Sequence, residues 1–124
     1  MEWVYTNQPI DYLVALERMQ AQVKAIQTDQ GSEMIWGLQH FPVFTAGSSA
    51  KPEDLIDSLG FSVYQTGRGG QFTYHGPGQL VVYMMLNLGK RKLSIKQFIF
   101  LIECWVIDTL KELGIQAERR EGRI

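Results

Sequence analysis

The sequence has a single cysteine, Cys104, in 124 residues, which excludes an internal disulfide framework and agrees with a reducing compartment. It has only two histidines, His40 and His75. With Cys104 they are the only soft ligands, so no zinc site is expected. It lacks net charge: a formal value of −1 and a pI near 6.1 give no field for nucleic acid or an anionic membrane, although Gly89-Lys90-Arg91-Lys92 forms one local positive knot. No apolar run is long enough to span a bilayer, and Met1-Glu2-Trp3-Val4-Tyr5 lacks the basic-then-apolar form of a secretion signal. A cytoplasmic protein is expected, with neither nucleic acid nor membrane as a partner. Repeats, low-complexity tracts and linkers are likewise absent. What is there is an ordinary globular composition, 45% hydrophobic and 20% charged, of a length that suits one domain spanning residues 1–124.

Local patterns predict an alternation of strands and helices. Trp3-Val4-Tyr5 reads as a short strand, and Asn7-Gln8-Pro9 as the start of a helix. That helix carries an apolar stripe through Tyr12, Leu16, Met19, Val23 and Ile26, and Gly31 stands where it should stop. A strand from Glu33 to His40 precedes a loop over residues 41–50, and Lys51 to Leu59 reads as a short helix. Phe61 to Thr66 and Gln79 to Leu86 read as strands, the latter apolar on both faces and so suited to the interior of a covered sheet. Ser94-Ile95-Lys96-Gln97 has the form of a capping box, opening a helix with a stripe of Ile95, Ile99, Ile102, Val106, Leu110 and Leu113 that ends at Gly114. Ile115 to Arg120 reads as a further strand. This order indicates an α/β or α+β fold, a mixed sheet with flanking helices.

Gly67 to Tyr83 stands apart, with five glycines in seventeen residues (67, 69, 70, 76 and 78) interleaved with Arg68, Gln71, Thr73, Tyr74, His75 and Gln79. Glycine permits positive φ and close approach to the main chain, so Arg68-Gly69-Gly70 can turn its N–H groups toward an anion or a carbonyl oxygen. A tight hairpin between two strands is the plainer reading of a Gly-rich run, but the density of hydrogen-bonding side chains favours a site. No Gly-Lys-Ser/Thr follows, as a Walker loop requires, and the run does not open a helix as a dinucleotide fingerprint would. His40, at a strand end, reads more simply as a hydrogen-bonded structural histidine than as a ligand. Cys104 falls mid-helix, opposite the apolar stripe, with Asp108 one turn on as the nearer charge, which is a poor setting for a nucleophile.

The run R-G-G-Q-F-T-Y-H-G-P-G-Q followed by an apolar stretch ending in Tyr83 resembles the signature of the lipoyl(octanoyl) transferases. The segment L-Q-H-F-P-V-F-T-A-G-S-S-A resembles an E-H-x-P-V-Y-T-x-G-like segment of the same family, with Gln39 in place of glutamate and Phe41 in place of proline. The resemblance implies the fold shared by biotin and lipoate protein ligases. It implies transfer of an octanoyl group from acyl carrier protein to a lysine of lipoyl domains, in 2-oxoacid dehydrogenase complexes and the glycine cleavage H protein, without a cofactor or metal. Carried over by position, Arg68, Gly69, Gly70, Gln71, Phe72, Thr73, Tyr74 and His75 become the acyl-substrate loop. Arg68 and backbone N–H groups would orient the substrate, and Tyr74 with Phe72 would wall an eight-carbon chain.

The family's catalytic lysine and cysteine lie in a K-I-A-x-x-G and a P-C-G segment, to which nothing up to Ile124 corresponds. The resemblance therefore implies the N-terminal portion of a family domain, with no catalytic residue of its own and inactive alone. Two alternatives stay open. A lipoate protein ligase is disfavoured because a serine and three glycines mark its loop where Arg68-Gly69-Gly70-Gln71 stands here. A non-catalytic acyl-binding remnant would keep the cradle without the chemistry.

Overall fold

A computed structural model describes residues 1–120. The chain divides into two compact units, Met1–Leu86 and a second that begins at Asn87. The first unit contains strands β1 (Glu2–Tyr5), β2 (Met34–Leu38), β3 (Val43–Ala46), β4 (Ser62–Gln65), β5 (Phe72–His75) and β6 (Val81–Met85), with helix α1 (Tyr12–Gln27). The second contains helix α2 (Ile95–Glu112).

The strands form two mixed three-stranded sheets, ordered β1-β2-β6 and β4-β3-β5. In the first, β1 and β2 run parallel with α1 as the crossover, and β6 pairs antiparallel to β2, Trp36 opposite Tyr83. Helix α1 covers one face of this sheet. Ala15 and Ile26 join Met34, Trp36, Leu38 and Met85 in a buried cluster, with Met19, Val81 and Tyr83 packed around it. Each such Leu, Met or Ile contributes about 1.5–3 kcal/mol. The helix is rotated from the stripe expected of it: Tyr12, Ala15 and Ile26 are buried, whereas Val23 is exposed. Its cap is Asp11, whose carboxylate accepts from Leu13 N at 2.8 Å, not Asn7. It ends at Thr28, with Asp29 taking the left-handed conformation (φ 57°) expected of Gly31.

Four further expectations fail. Residues 51–59 hold only a 3-10 turn at Pro52–Asp54, because an isolated segment of that length gains too little from propensity to stay helical without a buried face, and it has none. The presumed loop after His40 contains β3, whose Val43, Thr45 and Ala46 are buried; Pro42 at its start and Gly47 after it conceal a four-residue strand. Residues 115–120 form no strand, and instead lie along α2, where Arg119 donates to Glu103 at 3.0 Å. The interior strands of the described sheets are β2 and β3, whereas β6 lies at an edge, contrary to the interior place expected for it. In the second unit the Ser94–Gln97 capping box forms as expected and Gly114 closes the helix at φ 74°.

Candidate functional site

The glycine-rich run is not a hairpin loop. Strands β4 and β5 both pair with β3, one parallel and one antiparallel, so the chain from Thr66 to Gln71 must cross the end of the strand between them. Two strand spacings, about 10 Å, have to be bridged in six residues. The crossing is held by the backbone of the turn after β3. Gly47, Ser48 and Ser49 donate their N–H groups to the carbonyls of Gln71, Arg68 and Gly70 at 3.1, 2.9 and 3.1 Å. The approach is so close that a Cβ on Gly47 would lie 2.6 Å from the Gly69 oxygen and nearer still to that of Gly70. Gly47 is therefore required for space, and Gly70, at φ 84°, for conformation.

Arg68 completes the crossing. Its guanidinium donates to the Thr45 carbonyl at 2.9 Å, to Thr45 Oγ1 at 2.8 Å, to Thr73 Oγ1 at 3.0 Å and to the Gly69 carbonyl at 2.9 Å. Four consecutive carbonyls, of residues 68 to 71, thus face protein donors, while the N–H groups of Gly69 and Gly70 have no partner among the described residues. The side chain expected to orient substrate is instead engaged in holding that backbone.

Strand alternation divides the other loop residues between two faces. Thr73 and His75 share a face with Thr45, Tyr64 and Arg68, and this face meets α1 and the first sheet. There Tyr12 stacks on Tyr64 (centroids 5.5 Å, 19° between planes), and His40 lies 5.6 Å from Tyr12, 5.9 Å from His75 and 5.8 Å from Tyr83. Phe72 and Tyr74 point the other way, where Tyr74 contacts Phe44 at 5.3 Å and Phe61 at 6.2 Å. The structure therefore does not bring the two aromatics together with Arg68, Thr73 and His75. Gln71 lies exposed at the end of the crossing.

The residues that complete the polar face, Tyr12, His40, Thr45, Tyr64 and Tyr83, come from α1, the link after β2, β3, β4 and β6, and sequence spacing alone did not group them. His40 is fully buried and hydrogen-bonded through both ring nitrogens, as the structural reading held. Gln39 has a definite place: its Oε1 accepts from Gly78 N at 2.8 Å, closing the Gly76–Gln79 turn, where Gly78 has φ 89°. Either a glutamate or a glutamine could supply that acceptor, which accounts for the exchange.

Electrostatically the face is neutral apart from Arg68. Burial raises the Tyr12 phenol above its ordinary value, partly offset by Arg68. Burial, reinforced by Tyr12, pushes Tyr83 up to about 12. His75 is held below the usual imidazole value, chiefly by burial and then by His40, against a hydrogen bond with Gln79; Arg68 lowers it further. Because the folded state holds the Tyr83 proton more tightly than the unfolded chain does, its contribution is complete below pH 10 and is lost as pH rises toward 12. Urea unfolding should show an alkaline loss larger by about 1–2 kcal/mol in wild type than in Tyr83→Phe, a figure reduced for partial solvent contact. Equal alkaline slopes would show that Tyr83 is not held in this way.

Among the described residues no group of three His, Cys, Asp or Glu side chains could hold a metal, and no helix is long and apolar enough to cross a membrane. Cys104 lies in the second unit with Arg119 Nη2 2.6 Å from its Sγ. Its nearest charge is thus a cation from the following segment and not the Asp108 carboxylate that helical spacing suggested.

Residues 11–123 match the family model described as the lipoyl protein ligase A/B catalytic domain. The whole chain aligns with an octanoyltransferase of Dinoroseobacter shibae at 51% identity, covering 56% of that protein. It aligns with one of Cereibacter sphaeroides at 47%, covering 57%, and 99% of it aligns with one of Wolbachia pipientis wMel at 47%, covering 60%. The chain spans a little over half the length of these relatives. In fold it is similar to the crystal structure of P. falciparum LipL1 in complex with lipoate, with a TM-score of 0.55 and 18% identity over 95% of this chain and 38% of that one. The mixed sheets and helices are therefore those of the lipoate ligase fold, and with the family model matching nearly its whole length, the chain belongs to the lipoyl protein ligase A/B catalytic domain family.

Proposed function

We propose that this chain carries the acyl-group site of an octanoyltransferase, which moves an octanoyl group from the thioester of acyl carrier protein to a lysine amine of lipoyl domains, those of 2-oxoacid dehydrogenase complexes and the glycine cleavage H protein, in the cytoplasm. The observation that carries the reading is the state of Arg68. The single fixed cation of the polar face is held by four protein acceptors, three of them on Nη2, the nitrogen that both two-pronged edges of the guanidinium share, so neither edge is free to grip a carboxylate or a phosphate as a fork. The donors left without a protein partner in the crossing are neutral, the N–H groups of Gly69 and Gly70. Such a surface suits the oxygen of an uncharged thioester better than a free acid or an acyl-adenylate. It also disfavours the ligase alternative, in which ATP activates a free carboxylate.

The binding loop is assigned to Arg68 through His75, with the crossing at Arg68, Gly69 and Gly70 as the contact to the acyl carbonyl. No catalytic residue is assigned in this chain, and Cys104 is not proposed as the nucleophile that thioester exchange calls for. Replacing Gly70 with valine tests the reading. The Cβ itself would meet Arg68 Nη1 at an ordinary 3.5 Å, so the obstacle is the positive φ together with branches that cover the adjacent N–H groups. Affinity for an octanoyl thioester should fall at least about tenfold, the loss of one good hydrogen bond or more, with an unchanged far-ultraviolet circular dichroism spectrum. Unchanged affinity would sink the loop assignment, and ATP-dependent formation of an acyl-adenylate would favour the ligase.

A further inference from the structure

His40 has no part in that reading, yet it is the most enclosed polar group of the face, with no exposed surface. It follows β2 where the chain leaves the first sheet for the second. Its Nδ1 lies 2.9 Å from the Ile10 carbonyl, and its Nε2 lies 2.8 Å from Tyr83 Oη. A carbonyl can only accept, so Nδ1 carries hydrogen. In the neutral ring Nε2 then offers a lone pair, and the Tyr83 hydroxyl must donate to it. A phenol has one proton. With that proton engaged, the Tyr83 oxygen can meet any further group only as an acceptor. Tyr83 reaches this point from β6, His75 lies across the His40 ring, and Tyr12 approaches edge-on, so the oxygen sits among the groups of the polar face.

Resting on the acyl-site reading, we infer that His40 is a positioning residue that fixes Tyr83 Oη as a hydrogen-bond acceptor, so that the site selects a substrate group bearing N–H, an amine or the amide formed from it, over an isosteric thioester sulfur. In a transfer from sulfur to nitrogen, such an acceptor would distinguish the incoming nitrogen from the departing sulfur. A merely structural His40 would tie Ile10 to Tyr83 without conferring that preference.

Two measurements on the 124-residue chain test it. In nitrogen-15-labelled protein, long-range proton–nitrogen spectra of the imidazoles should show His40 with a protonated Nδ1 and an acceptor Nε2, whose resonance shifts toward that of a free ring nitrogen in Tyr83→Phe. A proton on Nε2, or a resonance indifferent to Tyr83→Phe, overturns the assignment. The second measurement compares N-methyloctanamide with S-methyl thiooctanoate, probes that differ in N–H against sulfur. Wild type should favour the amide by about tenfold, roughly one hydrogen bond. The ratio should fall to about one in Tyr83→Phe and in His40→Asn, whose amide can still donate to Ile10 while releasing the Tyr83 proton. Equal affinities in wild type, or a ratio retained in Tyr83→Phe, overturns the selectivity. If neither probe binds, the acyl-site reading fails and the selectivity with it, while the imidazole spectra still decide the pairing of His40 with Tyr83.

Discussion

Arg68→Ala should destabilise the first unit by about 3 kcal/mol and abolish binding of an octanoyl thioester. Thr45 is 2% exposed, so without the guanidinium its hydroxyl loses its donor and its carbonyl one of its contacts in a place water barely reaches, and an unsatisfied buried polar group costs about 1–3 kcal/mol. The same substitution frees Thr73 Oγ1 and the Gly69 carbonyl, so the crossing from β4 to β5 loses its tie to β3. Arg68→Lys should recover less than half of the stability, because one ammonium cannot reproduce a planar fork that reaches four acceptors on three residues. Urea unfolding gives the stability, and titration with a thioester gives the binding. A loss below about 0.5 kcal/mol, the range of ordinary surface changes, would mean that the guanidinium does not hold the loop.

Gly47→Ala and Gly69→Ala should differ sharply, although both replace a loop glycine with the smallest side chain. At Gly47 the new methyl group collides with the carbonyls of Gly69 and Gly70, which are backbone and cannot swing aside. The three hydrogen bonds from Gly47, Ser48 and Ser49 must lengthen or break, for a cost of about 2–4 kcal/mol at about 1 kcal/mol each plus overpacking. At Gly69 nothing lies within 4 Å of the added atom and the backbone needs no positive φ, so the change should fall within about 0.5 kcal/mol. Hydrogen exchange at the Ser48 and Ser49 amides would report the same contrast locally, with protection lost in Gly47→Ala and kept in Gly69→Ala. Equal effects in both measurements would show that the turn after β3 does not support the crossing.

The sequence by itself determined the elements whose stabilising interactions are local. The Ser94–Gln97 capping box and the Gly114 stop depend on neighbours a few residues away, so spacing and residue type were sufficient. It also singled out the Arg68–His75 run, because a concentration of glycines and polar side chains is visible before folding, and motif identity over consecutive positions identified the family. What it could not determine was anything set by strand order. Whether residues 67–71 form a hairpin or cross over β3 depends on which strand β4 and β5 choose as partner, a choice made by packing between residues tens of positions apart. That choice gives Arg68 its acceptors on Thr45, turns Phe72 and Tyr74 away from Thr73 and His75, and makes Gly47 indispensable from twenty residues upstream of the loop. It also brings His40 and Tyr83, 43 residues apart, to 2.8 Å. Local chemistry selects the elements, but the face on which a side chain stands follows from register and burial, which only the assembled sheets decide.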